Sequence, residues 1–133
     1  MTVPEAATAF GAPLEPAAAL DQDEFSCHYV FPNGEFGPVG FMIVDGHVAR
    51  IDIDAAGPRT EAGVGVGSTE TEVLAAYPER AAVEPHPYTS PEGHYIVVTP
   101  REERGAIFET DGSRVTSFRV GRADVVRWIE GCL

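Results

Sequence analysis

The sequence contains the stretch TETEVLAAY at residues 69–77 and, about half a chain earlier, the similar stretch TVPEAATAF at residues 2–10. Each stretch begins with Thr-x-x-Glu, continues with small or apolar residues and ends at an aromatic residue, which Gly11 or Pro78 follows. A pattern that recurs at half the length of a 133-residue chain indicates an internal duplication. We therefore interpret the chain as two repeats.

Both stretches have the signature of a helix start. In a capping box, a threonine hydroxyl accepts a hydrogen bond from the backbone N–H three residues on, and the glutamate at that position bonds back to the threonine N–H. Thr69 and Glu72 have this spacing, and so do Thr2 and Glu5. We expect two short helices, each ending at the glycine or proline that follows its stretch.

Three later segments also recur in the same order, namely 28–31 with 94–97, 40–46 with 105–112, and 48–53 with 115–120. Their apolar character and alternation predict strands. The Asp-Gly pairs at 45–46 and 111–112 are typical of hairpin turns, because glycine adopts a positive φ without steric cost. Each repeat is therefore predicted to be an α-β-β-β unit.

The predicted fold class is α+β: two tandem α-β-β-β repeats form one antiparallel sheet of about six strands, with the short helices on one face. The first repeat spans residues 1–60, the second spans 61–121, and 122–133 form a C-terminal tail pinned to the first repeat. A unit of this size buries little core alone, so we expect all three parts to form one compact domain. The apolar positions of the tail fit a short helix or a packed strand equally well.

Alternation along the strands assigns side chains to the two faces of the sheet. The face towards the helices is predicted to hold Val30, Met42, Ile51, Ile53, Ile96, Phe108, Phe118 and Val120. The open face is predicted to hold Tyr29, Phe31, Arg50, Asp52, Tyr95, Ser117 and Arg119. The middle strands are apolar on both faces, so the pattern leaves open whether Phe41, Ile107 and Glu109 also lie on the open face.

The charge balance restricts the partners. The chain has 21 acidic and nine basic side chains, all of the latter arginine, and a formal net charge of −12. Nucleic acids and anionic membrane surfaces need a basic protein surface, so both are disfavoured as partners. No apolar run approaches the roughly 18 residues that a transmembrane helix requires. A protein partner, if there is one, should present a basic surface.

Two cysteines occur, Cys27 at the start of a predicted strand and Cys132 next to the last residue. We expect a disulfide between them, which would tie the tail to the first repeat. Two buried free thiols in a cytosolic protein are the alternative. Residues 1–14 lack the basic region and apolar core of a signal peptide. With a disulfide, the predicted location is periplasmic or extracellular, with any export signal or lipobox outside this sequence.

No motif for chemistry stands out. The glycine-rich segment 63–68 lacks the spacing of a phosphate-binding loop and is interpreted as a connector between the repeats. His86 and His94 do not have the spacing of zinc ligands. The acidic groups at 21–24 and 52–54 match no calcium loop. We therefore predict no catalytic residue, no metal and no cofactor.

Residues 66–77, VGSTETEVLAAY, resemble the helix motif of the SmpA/BamE-like envelope modules, in which a small helix precedes a sheet of three or four strands. Two such units in tandem resemble the β-lactamase inhibitor protein family, and the resemblance covers roughly residues 2–54 and 66–121. It implies one sheet with a concave face that grips an enzyme. The chain departs from the family pattern in its cysteines, since members of that family have a disulfide within each repeat.

The leading prediction is an exported, non-catalytic, monomeric module that binds or inhibits a protein through the open face of its sheet. Tyr29, Phe31 and Tyr95 are the predicted exposed anchors. Three charged residues are predicted to surround them, Asp52, Glu109 and Arg119. An envelope structural or lipid-anchored accessory domain is the alternative function. A small hydrolase-type enzyme is the third, for which the sequence offers no residue.

Overall fold

The computed structural model describes residues 1–16, 27–35, 37–88, 92–129 and 132. The first half contains helix α1 (Val3–Phe10) and strands β1 (Leu14–Glu15), β2 (Cys27–Pro32), β3 (Val39–Val44) and β4 (His47–Ile53). The second half contains helix α2 (Glu70–Ala76) and strands β5 (Ala81–Pro85), β6 (His94–Arg101), β7 (Arg104–Thr110) and β8 (Val115–Arg122). In the described residues, each half is thus one helix followed by four strands.

All eight strands form one sheet in the order β1-β2-β3-β4-β8-β7-β6-β5. Every neighbouring pair is antiparallel, and the two halves meet where β4 pairs with β8. The prediction of an α+β fold with about six strands and helices on one face is therefore wrong. The molecule is mostly sheet, with eight strands and two helices of 8 and 7 residues.

The strands that the sequence analysis missed are the two edge strands. β1 has only two residues, and β5 has the sequence AAVEP, in which alanine, glutamate and proline are poor strand formers. Neither segment shows an alternating pattern. Pairing with β2 or β6, the next strand along the chain, makes them strands, and their own sequences do not indicate this pairing.

Both predicted capping boxes are confirmed. The Thr2 and Thr69 side chains accept hydrogen bonds from the third residue of their helices, and the glutamates there accept from the threonine N–H at 2.9 Å. α1 ends at Gly11, whose φ is 92°. Each capping threonine also forms an isolated β-bridge to the sheet. Thr2 pairs with His47, the first residue of β4, and Thr69 pairs with Arg114, the residue before β8. The two helices are thus attached to the sheet in the same way.

The predicted hairpin turns are also confirmed. Asp45 and Gly46 connect β3 to β4 with φ values of 51° and 81°, which is the positive-φ geometry that two-residue hairpins favour. Gly112, with a φ of 100°, lies in the connection between β7 and β8. These local signals place the antiparallel pairs next to each other in the sheet.

Two apolar clusters include one helix residue each. Ala6 of α1 packs with Val30, Phe41 and Ile43, and Val73 of α2 packs in a cluster with Ile53, Ile96, Phe108 and Phe118. Ile51 packs against both clusters. Met42 was predicted to lie with these residues, and that prediction is wrong. Because Phe41 and Ile43 point to this face, Met42 between them points to the other, where it contacts Ala49 and Val125.

The C-terminal tail covers part of the other face of the sheet. Residues 123–127 form turns, so neither a helix nor a strand describes them. Val125 and Val126 are buried, the first against Met42 and the second against Ile107. The predicted disulfide is confirmed: Cys27 in β2 and Cys132 are bonded, with 5.6 Å between their Cα atoms. It ties the end of the chain to the first half.

Candidate functional site

A pocket of about 360 Å³ opens on the face that the tail crosses. Its apolar lining comes from β2, β4, β8 and the tail, and includes Tyr29, Phe31, Ile53, Phe118 and Ile129. Its polar lining consists of Arg50, Asp52, Asp54, Glu109, Ser117 and Arg119. A concave site with apolar walls and a few converging polar groups has the general character of a ligand site.

One side of the pocket is organised by Arg50. Its guanidinium group donates two hydrogen bonds to Asp52, at 2.6 and 2.8 Å, and a third to the Tyr29 hydroxyl at 3.0 Å. The remaining nitrogen, Nη1, donates to the backbone carbonyls of Val125 at 3.1 Å and Trp128 at 2.6 Å. A single buried side chain thus orients Asp52 and holds the tail against the sheet.

Tyr29 is a hydrogen-bond donor in this cluster. Its hydroxyl donates to Asp52 at 2.7 Å. Burial and the adjacent Asp52 carboxylate raise the pKa of Tyr29, because both disfavour a phenolate. The hydroxyl therefore keeps its proton and its hydrogen bond to Asp52.

The opposite side is organised by Arg119 of β8. Its Nε donates to the Val126 carbonyl at 2.5 Å, and Nη1 donates to Glu109 at 2.8 Å. Its guanidinium carbon lies 5.3 Å from the centre of the Tyr95 ring, within the range of a cation–π contact. The remaining nitrogen, Nη2, is buried and has no hydrogen-bond partner among the described residues.

Glu109 also binds a histidine. Its second oxygen lies 2.7 Å from Nε2 of His86, whose Nδ1 accepts a hydrogen bond from the Tyr88 N–H at 3.0 Å. An Nδ1 that accepts a bond carries no proton, so Nε2 carries the proton and donates it to Glu109. Glu109 is thus bonded on both oxygens, and it connects the pocket to the segment that holds Tyr88.

The charges of the pocket are arranged by depth. The side chains of Arg50 and Arg119 are 3% and 5% exposed, whereas those of Asp52 and Glu109 are 34% and 27% exposed. Asp54 is exposed as well. A molecule that enters the pocket therefore meets carboxylates first, with the arginines beneath them.

Five of the six residues predicted to bind a partner line this pocket: Tyr29, Phe31, Asp52, Glu109 and Arg119. Tyr95, the sixth, is buried under Arg119 and is not part of the lining. The prediction that the aromatic residues are exposed anchors is wrong for Phe31 and Tyr95, which are both buried. Tyr29 is half-buried and stacks on Phe31 with 6.2 Å between ring centres.

The exposed apolar residues near the pocket are ones that the sequence analysis did not select. Trp128 and Ile129 of the tail are 43% and 45% exposed, and Ile129 forms part of the pocket wall. Tyr88, two residues beyond the histidine that binds Glu109, is 66% exposed. The apolar pattern at 125–129 indicated that the tail packs somewhere. Which of its side chains remain outside depends on how it docks.

A second polar cluster attaches α2 to the sheet. Glu70 lies 2.7 Å from Nδ1 of His94 and accepts a hydrogen bond from the Thr110 hydroxyl at 2.5 Å. The threonine therefore bonds to the carboxylate and not to the histidine, which is not the order that an activated nucleophile requires. We interpret this cluster as an attachment of the helix.

Among the described residues there is no group of three or more potential ligands that could hold a metal ion. The acidic group at 21–24 lies outside those residues. Within the acidic group at 52–54, Asp52 is bonded to Arg50, and Asp54 stands at the edge of the pocket. In the part of the chain that the structure describes, no helix has the length and apolarity needed to cross a membrane.

No protein-family model, curated protein or solved structure matches this chain. The resemblance to SmpA/BamE-like modules and to the β-lactamase inhibitor protein family therefore stays a prediction.

Proposed function

We propose that the chain is a non-catalytic binding module that holds a basic protein partner on its tail face. The tail face is the sheet face crossed by residues 123–129, with the pocket and the exposed residues Tyr88, Trp128 and Ile129. The observation that supports this most directly is the combination of outward carboxylates in the pocket with exposed apolar side chains beside it.

The composition of the tail face suits a protein interface. Tryptophan and tyrosine are enriched among the residues that contribute most to protein binding, and they act best when other groups around them exclude water. Trp128 and Ile129 stand beside the pocket and offer such a centre, with Asp54 and Glu109 close by in the lining. The net charge of −12 favours fast association with a positively charged partner.

The pairing of the polar groups favours binding over proton transfer. Asp52 is held by Arg50 and Tyr29, and Glu109 is held by Arg119 and His86. Carboxylates that are already bonded to buried arginines have fixed positions. A rigid, charged recess of this kind suits recognition of a complementary group.

The disulfide supports a location in an oxidising compartment. Disulfides persist outside the cytosol, in the periplasm or the extracellular space. The Cys27–Cys132 bond holds the tail whose residues Trp128 and Ile129 belong to the proposed interface. We therefore place the module in the periplasm or outside the cell, where an inhibitor-like role would bring it to its partner.

The test is capture of a partner from an envelope extract by the immobilised, oxidised protein. Trp128→Ala should lose at least tenfold in captured partner, since it removes a central aromatic side chain. Leu74→Ala on α2 is the matched control, because Leu74 is also an exposed large apolar residue but is not part of the tail face. Capture should also weaken as salt increases.

Two outcomes would contradict the proposal. One is equal capture by the wild-type, Trp128→Ala and Leu74→Ala proteins, which would remove the tail face as the interface. The other is no specific capture from an extract prepared without reductant. That second result would favour the alternative of an envelope structural or lipid-anchored accessory domain.

A further inference from the structure

The pocket is too small for a protein segment but has the right size for one side chain. Its volume of about 360 Å³ lies at the lower end of the range for small-molecule sites. Resting on the proposed function, we infer that this pocket receives a single cationic side chain of the partner, an arginine or a lysine. The charge, the walls and an unpaired donor of the pocket carry this inference.

The charge that an occupant meets is negative. Asp54 is exposed at the pocket, and Asp52 and Glu109 are each about one-third exposed or slightly less. The arginines are almost completely buried. Three of their six guanidinium nitrogens bond to Asp52 or Glu109, and two others bond to carbonyls of the tail. A cationic occupant thus finds carboxylate oxygens within reach, whereas an anionic one meets like charge first.

The walls suit the apolar stem of an arginine or lysine side chain. Tyr29 and Phe31 stack on each other at an interplanar angle of 20° and line one side, and Ile129 lines another. Long cationic side chains bury their methylene groups against apolar surfaces while the charged end contacts polar groups. Aromatic rings next to the charged end add a favourable cation–π contact.

The unpaired donor points to a ligand that also carries an oxygen. Arg119 lines the pocket with a side chain that is 5% exposed, and its Nη2 has no partner within the described part of the chain. A buried N–H group without an acceptor is costly, so an oxygen supplied by the occupant would be favourable. A residue in a peptide supplies both a cationic side chain and a backbone carbonyl.

The experiment is a titration of the oxidised, full-length protein with Nα-acetyl-arginine amide, followed by NMR of the backbone amides. We expect shifts at Asp54, Ser117 and Phe118, which line the pocket. The amide of Nα-acetyl-citrulline has nearly the same shape without the charge and should bind roughly tenfold more weakly. Nα-acetyl-lysine amide, with a free side-chain amine, should behave like the arginine probe, and butylguanidine, which lacks the carbonyl, should bind more weakly.

Asp54→Asn should weaken binding of the arginine probe by about three- to tenfold, because it removes one exposed carboxylate from the lining. Glu61→Gln makes the same charge change at an exposed position outside the lining, and it should leave binding unchanged. Amide spectra of both variants without ligand check that each one is folded. Equal binding of the arginine and citrulline probes would overturn the inference, and so would shifts confined to residues outside the pocket.

The outcomes for the pocket and for the partner are separable. If the arginine probe binds in the pocket but no protein is captured through Trp128, the pocket inference stands and the proposed function fails. If a partner is captured through Trp128 but Asp54→Asn and excess arginine probe leave its capture unchanged, the proposed function stands and the pocket inference fails.

Discussion

Reduction of the Cys27–Cys132 disulfide should lower the free energy of unfolding by about 3–5 kcal/mol. The bond joins residues 105 positions apart, so it restricts nearly the whole unfolded chain. The loop-closure relation gives an entropy loss worth about 4.8 kcal/mol at 25 °C for a loop of this length. Structure that persists in the unfolded chain reduces the effect, which is the reason for the lower end of the range.

The folded state should change little on reduction, because other contacts hold the tail. Val125 and Val126 remain buried, and the arginine bonds to the carbonyls of residues 125, 126 and 128 do not involve sulfur. The loss of stability therefore arises mainly from the greater freedom of the unfolded chain. Far-UV circular dichroism and the fluorescence of Trp128, the single tryptophan, should be nearly the same before and after reduction.

The assay is urea denaturation of the same protein with and without a thiol reductant, followed by both signals. With a slope of about 1.5 kcal/mol per molar urea, the midpoint should fall by about 2–3 M on reduction. The slope should rise, since the reduced unfolded chain exposes more surface. A change of less than about 1 kcal/mol would refute the reasoning, as would an early Trp128 transition separate from that of the sheet.

Three further predictions concern stability. Gly121→Ala should lower the free energy of unfolding by about 2–3 kcal/mol, measured by thermal unfolding, because the added Cβ would overlap with the Ala49 carbonyl oxygen where β4 and β8 meet. Gly37→Ala is the control, because its Cβ meets no such obstacle, and it should change the free energy of unfolding by less than about 0.5 kcal/mol. Thr69→Ala should cost about 1 kcal/mol in urea denaturation by removing the α2 cap, and an unchanged midpoint would contradict the role of the capping box. Burial raises the pKa of Glu70, but the hydrogen bonds from Thr110 and His94 outweigh burial and lower the pKa below 4.5. The ionised Glu70 side chain therefore stabilises the fold above pH 4.5. This stabilisation is lost as the pH falls through the lower pKa of the folded state. Glu70→Gln should therefore flatten the dependence of the melting temperature on pH between about pH 5 and pH 3, and an unchanged slope would argue against this linkage.

Local sequence signals were reliable in this chain. The Thr-x-x-Glu pairs predicted two capped helices, and the Asp-Gly pairs predicted hairpin turns, all of which are confirmed. These features depend on residues within a few positions of each other, so the sequence contains all the information they need. The disulfide was predictable for a different reason, since the chain has only two cysteines and one of them is next to the last residue.

Features that depend on contacts with another segment of the chain were less reliable. The short segments β1 and β5 have no strand pattern of their own, so the number of strands was predicted too low. Met42 was assigned to the wrong face because β3 is apolar on both faces, and alternation then has no contrast from which to set its phase. On the second face of β3, Met42 and Val44 pack with Val125 and Cys132 of the tail.

The site shows the same division. The sequence by itself assigned seven polar and aromatic residues to the same face of the sheet, because side chains alternate along a strand. Six of the seven line one pocket, and Tyr95 is the exception. Only the tertiary structure decided which of them are exposed. The tail crosses that face, buries Tyr95 and leaves Trp128 and Ile129 outside. Its position depends on buried arginines from two different strands and on a disulfide that spans 105 residues. No local pattern encodes such contacts, because they form only after both halves of the sheet are in place.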